Sequence, residues 1–285
     1  MKSISQSAWP AALRDPSGQR EPFDGSGDGL DSRRTPGRGQ TMVIDKGLGR
    51  RAFADLMETA GPYIDCVKFG FGTAPLYPAD VLLAKIGLAK RSGLSVMPGG
   101  TLLEAAVRQN AVPAFFESVC RLGFNGIEVS DGTIELDRKQ RTSLIQEGIR
   151  NGLRVVTEYG KKLTGSVVDA DELLFTAEAD WLAGAELVTV EARESGIGVG
   201  LFDRNGDCAL SELEAIGRAL GDVGRIMWET PLKHQQVLLL NAFGAEANLG
   251  NIQPSEVLSL ETMRRGLRAD TFHFGKRVEP FVYMI

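Results

Sequence analysis

The chain has 285 residues, of which 43% are hydrophobic and 24% charged, and this length accommodates one α/β barrel of about 250 residues. Its formal net charge of −5 provides no basic footprint, so we expect no nucleic-acid partner. No apolar run reaches the roughly 18 residues that a membrane span needs, and the polar start lacks the apolar block of a signal peptide. The three cysteines lie far apart, as is typical of a reducing compartment, so we predict a cytoplasmic protein with no membrane partner.

The first 40 residues differ in composition from the rest of the chain. The stretch SGQREPFDGSGDGLDSRRTPGRGQ is rich in Gly, Pro, Ser and charged residues. Such a composition buries too little apolar surface to offset the entropy of ordering, and it therefore predicts disorder. We divide the chain into a disordered N-terminal extension over 1–40 and one folded domain over 41–285.

From Thr41 onward, short β-rich runs alternate with amphipathic helical stretches. The runs are rich in Val and Ile, and several are almost continuously apolar, which is typical of strands buried on both faces. The predicted strands are Met42–Asp45, Ile64–Phe69, Leu94–Met97, Gly126–Val129, Arg154–Glu158, Glu186–Glu191, Arg225–Glu229 and Glu246–Leu249. The predicted helices include Ala79–Ser92, Ala111–Gly123, Asp137–Asn151, Ala170–Ala183, Ser211–Gly221, Pro231–Phe243 and Glu256–Arg268.

Two arrangements of these units are compatible with the pattern. Strand starts recur at the period of βα units, and eight such units close a barrel. The alternative, an open doubly wound sheet, has a glycine-rich fingerprint in the turn after its first strand, and this fingerprint does not follow Asp45. The predicted fold is therefore a single-domain (β/α)₈ TIM barrel.

Charged and polar residues follow nearly every predicted strand. In a barrel of this kind, the carboxyl ends of the strands gather at one face and form the active site. Capping or solvation explains one or two such charges, but a charge at the end of an apolar run costs free energy unless it is paired or bound to a ligand. The pattern therefore favours a functional rim. Its members are Lys68, Gly99, Gly100, Glu128, Glu158, Lys161, Lys162, Glu191, Arg193, Glu229, Lys233, Gly250 and Asn251.

Some of these residues also have an ordinary structural explanation. The glycine pair at 99–100 opens a helix whose free N–H groups attract phosphate or carboxylate. Alternatively, Thr101 and Glu104 form a plain capping box at the same helix start. The lysine pair at 161–162 is either catalytic or an exposed surface pair.

The charges of the rim indicate a class of ligand. Carboxylates suit Mg²⁺, a hard cation that prefers oxygen, whereas lysine and arginine suit an anionic, phosphorylated substrate. Arg193 either clamps such an anion or pairs with Glu191 or Glu158. Lys68 either faces the barrel mouth or extends its charged end to solvent. The sequence contains no zinc signature, Ser-His-Asp set or Walker loop.

Seven short motifs occur in the order typical of a known family. They are YIDCVKFGFGTA, PGGTLLE, FNGIEVSDG, EYGKK, VEARESG, WETPLKHQQ, and NLGNI with GLRADTF. Over about Thr41 to Phe274 this pattern resembles the phosphosulfolactate synthase family. The resemblance implies a (β/α)₈ barrel and Mg²⁺-dependent addition of sulfite to phosphoenolpyruvate, giving (2R)-3-phosphosulfolactate for coenzyme M biosynthesis. The family also includes plant heat-stress-associated proteins, so the alternative is a non-catalytic barrel that binds protein partners.

The resemblance also implies roles for individual residues. It places a lysine as general acid in the EYGKK motif, for which we choose Lys162, with Lys161 and Lys68 as alternatives. We expect nearby cations to lower the pKa of this lysine. The candidate metal ligands are Glu128, Glu158, Glu191 and Glu229. The candidate substrate contacts are Arg193, Lys233, Gly99, Gly100, Gly250 and Asn251. A homo-oligomer is expected as well.

Overall fold

The computed structural model describes residues 9–20, 38–163 and 165–275. Eight parallel strands form one sheet in the order β3-β2-β1-β8-β7-β6-β5-β4, so the first and last strands of the chain are neighbours. The strands are β1 (Thr41–Asp45), β2 (Cys66–Phe69), β3 (Ser95–Pro98), β4 (Gly126–Val129), β5 (Arg154–Tyr159), β6 (Leu187–Val190), β7 (Ile226–Glu229) and β8 (Asn248–Ile252). This arrangement confirms the predicted (β/α)₈ barrel.

Helices connect the strands on the outside of the barrel, and two of them follow β3. The helices are α1 (Ala11–Arg14), α2 (Arg50–Ala60), α3 (Ala79–Arg91), α4 (Gly100–Arg108), α5 (Val112–Leu122), α6 (Arg138–Arg150), α7 (Ala170–Ala183), α8 (Leu210–Leu220), α9 (Lys233–Phe243) and α10 (Val257–Arg264). Short 3₁₀ helices cover Gly61–Tyr63, Ala74–Leu76, Pro254–Glu256 and Ala269–Phe274. Within the described residues, no helix combines the length and apolar character needed to cross a membrane.

All eight predicted strands are present with small boundary shifts. The eighth shifts most, from a predicted Glu246–Leu249 to an observed Asn248–Ile252. The helix α2 is absent from the predicted set, although its buried residues Phe53, Met57 and Ala60 follow helical spacing. This spacing is the signal that identifies α2 as one more barrel helix.

Side chains alternate between the two faces of each strand, and this alternation produces two separate apolar layers. Val43 and Val67 face outward and join the main core between the barrel and its helices. Residues one position away face inward, and near the amino ends of the strands they form a small apolar layer inside the barrel. This inner layer consists of Met42, Cys66, Met97, Leu187 and Met227. Above it, toward the carboxyl ends, the inward positions of β2, β4, β5 and β7 carry charges instead.

Part of the predicted disordered extension lies against the barrel. Residues 9–20 include the short helix α1 and end at Arg20, which is only 2% exposed. The Arg20 guanidinium donates to both carboxylate oxygens of Glu261 on α10, at 3.0 Å each. This buried ion pair connects the segment to α10. The rest of the extension, residues 1–8 and 21–37, lies outside the described residues.

Candidate active site

Five charged side chains point into the barrel near the carboxyl ends of its strands, at the face that we call the mouth. On β2, Cys66 and Lys68 share the inward side, whereas Val67 between them joins the outer core. The same alternation turns acids inward from β4, β5 and β7 and from the residue that follows β6. The five residues are Lys68, Glu128, Glu158, Glu191 and Glu229, each at most 4% exposed. Together with Lys162 they form the mouth cluster.

Lys68 lies among three carboxylates of the cluster. Its Nζ donates to Glu128 Oε1 at 3.0 Å and to Glu229 Oε1 at 2.8 Å. A third carboxylate oxygen, Oε2 of Glu158, lies 3.8 Å from the same Nζ. Burial by itself lowers the pKa of Lys68, but the charges of Glu128 and Glu229 raise this pKa well above its ordinary value. Lys68 is therefore a permanent cation inside the mouth.

Backbone donors fix the remaining oxygens of two of these acids. Glu128 Oε2 accepts a hydrogen bond from the N–H of Gly100 at 2.7 Å. Glu229 Oε2 accepts from the N–H of Ala192 at 3.1 Å. Both acids are thus held in place from two sides, and the Gly100 N–H at the start of α4 already has an acceptor.

Lys162 reaches the cluster from the loop that follows β5. Its Nζ lies 2.9 Å from Glu158 Oε1 and 3.3 Å from Glu191 Oε2. It also donates to Thr101 Oγ1, on α4, at 3.3 Å. The Lys162 side chain is 19% exposed, against 5% for Lys68, so it meets the open side of the mouth.

The cluster contains more acids than bases, and the pKa values of two neighbouring acids are shifted in opposite directions. Burial and the charges of Glu158 and Glu229 raise the pKa of Glu191 to about 11, so Glu191 holds a proton near neutral pH. For Glu158, burial also raises the pKa, but the charges of Lys162 and Lys68 outweigh it and lower the pKa to about 2. One carboxyl is therefore neutral beside an ionised one.

The pKa of Lys162 is shifted in the direction opposite to the one expected from sequence. The charges nearest its Nζ belong to Glu158 and Glu191, not to cations. Although burial lowers the pKa, these two acids raise it above the ordinary lysine value. Lys162 is thus protonated at neutral pH and has a proton to donate.

The residues of the mouth cluster line a cavity at the mouth. Its lining residues are Ile44, Lys68, Gly70, Phe71, Gly99, Gly100, Thr101, Glu128, Glu158, Lys162, Glu191, Glu229 and Asn251. Asn251 has a left-handed backbone φ of 54° and is 2% exposed. Its Oδ1 accepts no hydrogen bond from the described residues, so the amide is available to a ligand.

Lys161 lies outside this cavity, although it is adjacent to Lys162 in sequence. Its Nζ donates to the backbone oxygens of Asp131 at 2.9 Å and Ile134 at 3.2 Å. It lines a separate cleft of about 310 Å³ beyond β5. Of the two neighbouring lysines, only Lys162 joins the mouth cluster.

Three predicted substrate contacts also lie away from the cavity. Arg193 is exposed with a φ of 61°, and only its backbone N–H reaches the cluster, at 2.5 Å from Glu191 Oε1. Lys233 pairs with Asp270 at 2.7 Å on the outer rim. Gly250 faces the apolar inner layer, where an added Cβ would lie 3.1 Å from Met227 Sδ. The predicted glycines at 99 and 100 and Asn251 do line the cavity.

Thr101 and Glu104 have a different role from the predicted capping box. The helix α4 begins after Gly99 without a side-chain cap. Thr101 Oγ1 accepts from Lys162, and Glu104 Oε1 lies 3.9 Å from Lys162 Nζ. The signal in the sequence is their spacing of one helical turn directly after the third strand, which places both on one helix face.

A buried acid–lysine cluster at the active face of a (β/α)₈ barrel defines the chain as a barrel enzyme. The family model described as (2R)-phospho-3-sulfolactate synthase (ComA) matches residues 31–270. The phosphosulfolactate synthase of Methanocaldococcus jannaschii is 41% identical over 237 residues, which cover 82% of this chain and 94% of that protein. The phosphosulfolactate synthase of Bacillus subtilis is 36% identical, covering 82% and 92%. The chain therefore belongs to the phosphosulfolactate synthase family.

More distant similarities link the chain to proteins with other names. Protein HEAT-STRESS-ASSOCIATED 32 of Arabidopsis thaliana is 20% identical over 76% of this chain and 81% of that protein. The crystal structure of the YdjI aldolase from Escherichia coli K12 matches with a TM-score of 0.53 at 11% identity, covering 86% of this chain and 92% of that one. At this identity the structural match concerns the barrel fold alone.

Proposed function

We propose that this chain catalyses the addition of sulfite to phosphoenolpyruvate, giving (2R)-phospho-3-sulfolactate. The main support is the mouth cluster, in which four buried carboxylates and two ammonium groups share one cavity. A doubly charged metal ion offsets the excess of acids, and the ammonium groups complement an anionic substrate. Membership of the phosphosulfolactate synthase family supports this choice of reaction.

The mouth cluster fits a magnesium ion. Glu158, Glu191 and Glu229 each offer a carboxylate oxygen, and these oxygens lie within 4.8 Å of one another. Oxygen donors of this kind are the ligands that Mg²⁺ prefers. Glu128 is not in the proposed ligand set because the carboxylate oxygens that lie within 4.8 Å of one another belong to the other three acids. Bound Mg²⁺ supplies positive charge that stabilises the negative charge building on the substrate carboxylate.

The proposed reaction needs no activated side-chain nucleophile, because sulfite is itself a good nucleophile. The sulfur lone pair forms the C–S bond at the methylene carbon of phosphoenolpyruvate. The π electrons of the double bond move to the adjacent carbon and its carboxylate group. A proton delivered to that carbon completes the addition, and the side from which it arrives sets the configuration.

Lys162 is the proposed proton donor. Its Nζ is charged, reaches the mouth cavity and is held by Glu158 and Glu191. After donating, the neutral amine regains a proton from water. A cation shared by the same carboxylates would weaken their hold on the Lys162 proton and make it a stronger acid. Lys68 is enclosed by its acid partners, and we assign it an electrostatic role.

Asn251 is the proposed polar contact for the substrate. Its buried amide lines the cavity and has an oxygen without a hydrogen-bond partner among the described residues. Gly99 lines the same cavity, and an added Cβ there would lie 3.3 Å from the backbone oxygen of Phe69. Arg193 and Lys233 lie outside the cavity, and we do not include them in the proposed contacts.

Incubation of the purified full-length chain with phosphoenolpyruvate, sulfite and MgCl₂ tests the proposal. We expect ³¹P NMR and mass spectrometry to detect phosphosulfolactate, and we expect EDTA to stop its formation. The matched control is Lys162→Ala, which keeps the metal site but lacks the proton donor. Replacing sulfite by other nucleophiles tests whether sulfite is the second substrate. A folded sample that forms no product above background contradicts the proposal.

A second candidate function follows from the similarity to the heat-stress-associated protein of Arabidopsis thaliana. In this case the barrel acts without turnover by binding protein partners. A binder has no need for a buried cluster of excess acids, which favours the enzyme. Thermal denaturation distinguishes the two, since stabilisation by phosphoenolpyruvate with Mg²⁺ is expected only of the enzyme.

A further inference from the structure

The barrel has a seam at which a few hydrogen bonds, not a strand ladder, connect two neighbouring strands. One of these bonds joins backbone groups, from Asn125 N–H to Val96 O at 3.3 Å. Among the described strands, the sheet order begins at β3 and ends at β4, so these two lie at the ends of the ladder. Asn125 bridges them near the amino ends, because its Oδ1 accepts from Val96 N–H at 2.7 Å and its Nδ2 donates to Leu94 O at 3.1 Å. Near the mouth, the bond from Gly100 N–H to Glu128 crosses the same seam.

Glu104 makes the uppermost connection across the seam. It lies on α4, which follows β3, and it is only 1% exposed. Its carboxylate accepts hydrogen bonds from the Ser130 hydroxyl, from the Thr133 hydroxyl and from the Thr133 N–H, the last at 2.8 Å. These donors belong to the loop that follows β4. One buried acid therefore holds this loop against α4.

The same loop forms a wall along Lys162. The Lys162 N–H donates to Gly132 O at 3.1 Å. A Cβ added at Gly132 would lie only 3.0 Å from Cγ and Cδ of Lys162 and 3.1 Å from its Cε. The loop thus contacts the lysine along its backbone and its aliphatic chain. Farther along, Thr101 and Glu104 of α4 face its ammonium group.

We propose that Glu104 is a positioning residue that sets the place of Lys162 Nζ by holding the 130–133 loop across the seam. The inference rests on the proposed role of Lys162 as proton donor. Loss of the Glu104 contacts frees the loop, since no strand ladder ties β3 to β4 at this point. The ammonium group then moves relative to the carbon that it protonates. A shift of about 1 Å in a positioned group is enough to cost about 10²-fold in rate.

Two variants disturb this arrangement independently. Glu104→Gln keeps the size of the side chain but replaces one accepting oxygen by a donor, opposite donors of the loop. Gly132→Ala leaves Glu104 intact and pushes directly on the Lys162 side chain, at a position whose backbone is outside the left-handed region. The matched control is Glu261→Gln, another buried acid that holds Arg20 on the far side of the fold.

We expect both Glu104→Gln and Gly132→Ala to lower kcat by about 10- to 100-fold while KM for phosphoenolpyruvate stays nearly constant. We also expect loss of enantiomeric purity at the protonated carbon, because water then delivers the proton from either side. The control Glu261→Gln is expected to lower Tm and to leave kcat and configuration unchanged. Wild-type kcat and purity in both test variants, or the same changes in the control, would overturn the proposal.

Crystal structures of the wild type and of Glu104→Gln provide a readout that does not depend on the reaction. We expect the 130–133 loop and Lys162 Nζ to move by about 1 Å or more in the variant. Unmoved coordinates overturn the positioning role, whether or not the protein makes phosphosulfolactate. If the positions change but the wild type forms no product, the proposed function fails and the positioning of Lys162 by Glu104 stands.

Discussion

Two of the groups of buried charges near the carboxyl ends of the described strands differ in the balance of acids and bases. The first is a pair on the outer side of β1, where Lys85 Nζ lies 2.5 Å from Asp45 Oδ2. Lys85 also donates to Leu48 O at 2.7 Å, and Asp45 Oδ1 accepts from the Tyr77 hydroxyl at 2.9 Å. The second group is the mouth cluster, where four carboxylates face two lysines. The pair has one base for each acid, and the cluster does not.

Burial of a charge is therefore not by itself a sign of function. Asp45 ends a strand and is 0% exposed, as a catalytic acid of the barrel could be. Its partner Lys85 packs over the ring of Tyr77, 4.1 Å from the ring centroid, and closes the pair off from the mouth. In the mouth cluster, excess negative charge is left for a ligand to offset. The two groups differ in the ratio of acids to bases and in whether their side chains face the mouth or the outer side of the barrel.

Among these variants, we expect the strongest loss of activity from replacing Lys162 in the mouth cluster. We expect Lys162→Ala to lower kcat by about 10²–10⁴-fold, because it removes the proposed proton donor. Tm should fall as well, because the buried acids Glu158 and Glu191 lose the cation that offsets their charge. Steady-state kinetics and thermal denaturation check both. Lys161→Ala is the matched comparison, and an equal loss of kcat there would move the role of acid to the neighbouring lysine.

Replacing one member of the Asp45–Lys85 pair is expected to change the stability of the protein. We expect Lys85→Met to lower the free energy of unfolding by about 3–5 kcal/mol, because Asp45 is left as an uncompensated buried charge. Urea denaturation measures this loss, while kcat per folded molecule should remain at the wild-type value. The double variant Asp45→Asn with Lys85→Met should recover much of the loss. A large fall in kcat instead would mean that the pair takes part in the reaction.

The strand pattern of the sequence brings the mouth acids together because each lies on a strand or directly after one. Residues two apart on a strand face one side, so inward positions follow from the pattern. Beyond the strand ends this rule stops, and the structure places Arg193, whose φ is 61°, and Lys233 outside the residues that line the mouth cavity. The pair of Arg20 and Glu261 is 241 residues apart in sequence, so no local pattern indicates it.

A third prediction sharpens the contrast in charge balance. In metal-free buffer we expect Glu191→Gln to raise the free energy of unfolding by about 1–4 kcal/mol, because it removes one of the crowded acids. The same change should lower turnover, since it removes a proposed metal ligand. Chemical denaturation and steady-state kinetics measure the two effects. A variant that is less stable than the wild type would show that the excess of acids is not a source of repulsion.

The pH dependence of this difference has a defined sign. The pKa of Glu191 is raised from 4.5 to about 11, so the folded protein binds a proton that the unfolded chain releases. The resulting stability is fully present below the ordinary carboxyl pKa and is lost as the pH rises toward the folded value. The advantage of Glu191→Gln over the wild type should therefore increase with pH. A difference that is constant between pH 5 and 9 would contradict the raised pKa.

The smallest expected effect concerns the apolar inner layer, which lies on the same strands beneath the mouth cluster. Met227 is inward on β7, two residues before Glu229, and has no charged group to balance. Because leucine conserves volume, we expect Met227→Leu to lower the free energy of unfolding by less than about 1.5 kcal/mol and to leave kcat unchanged. Denaturation and kinetics check both values. A fall in kcat without a loss of stability would mean that the inner layer positions Glu229. In that case the apolar layer and the charged layer on β7 would not have separate roles.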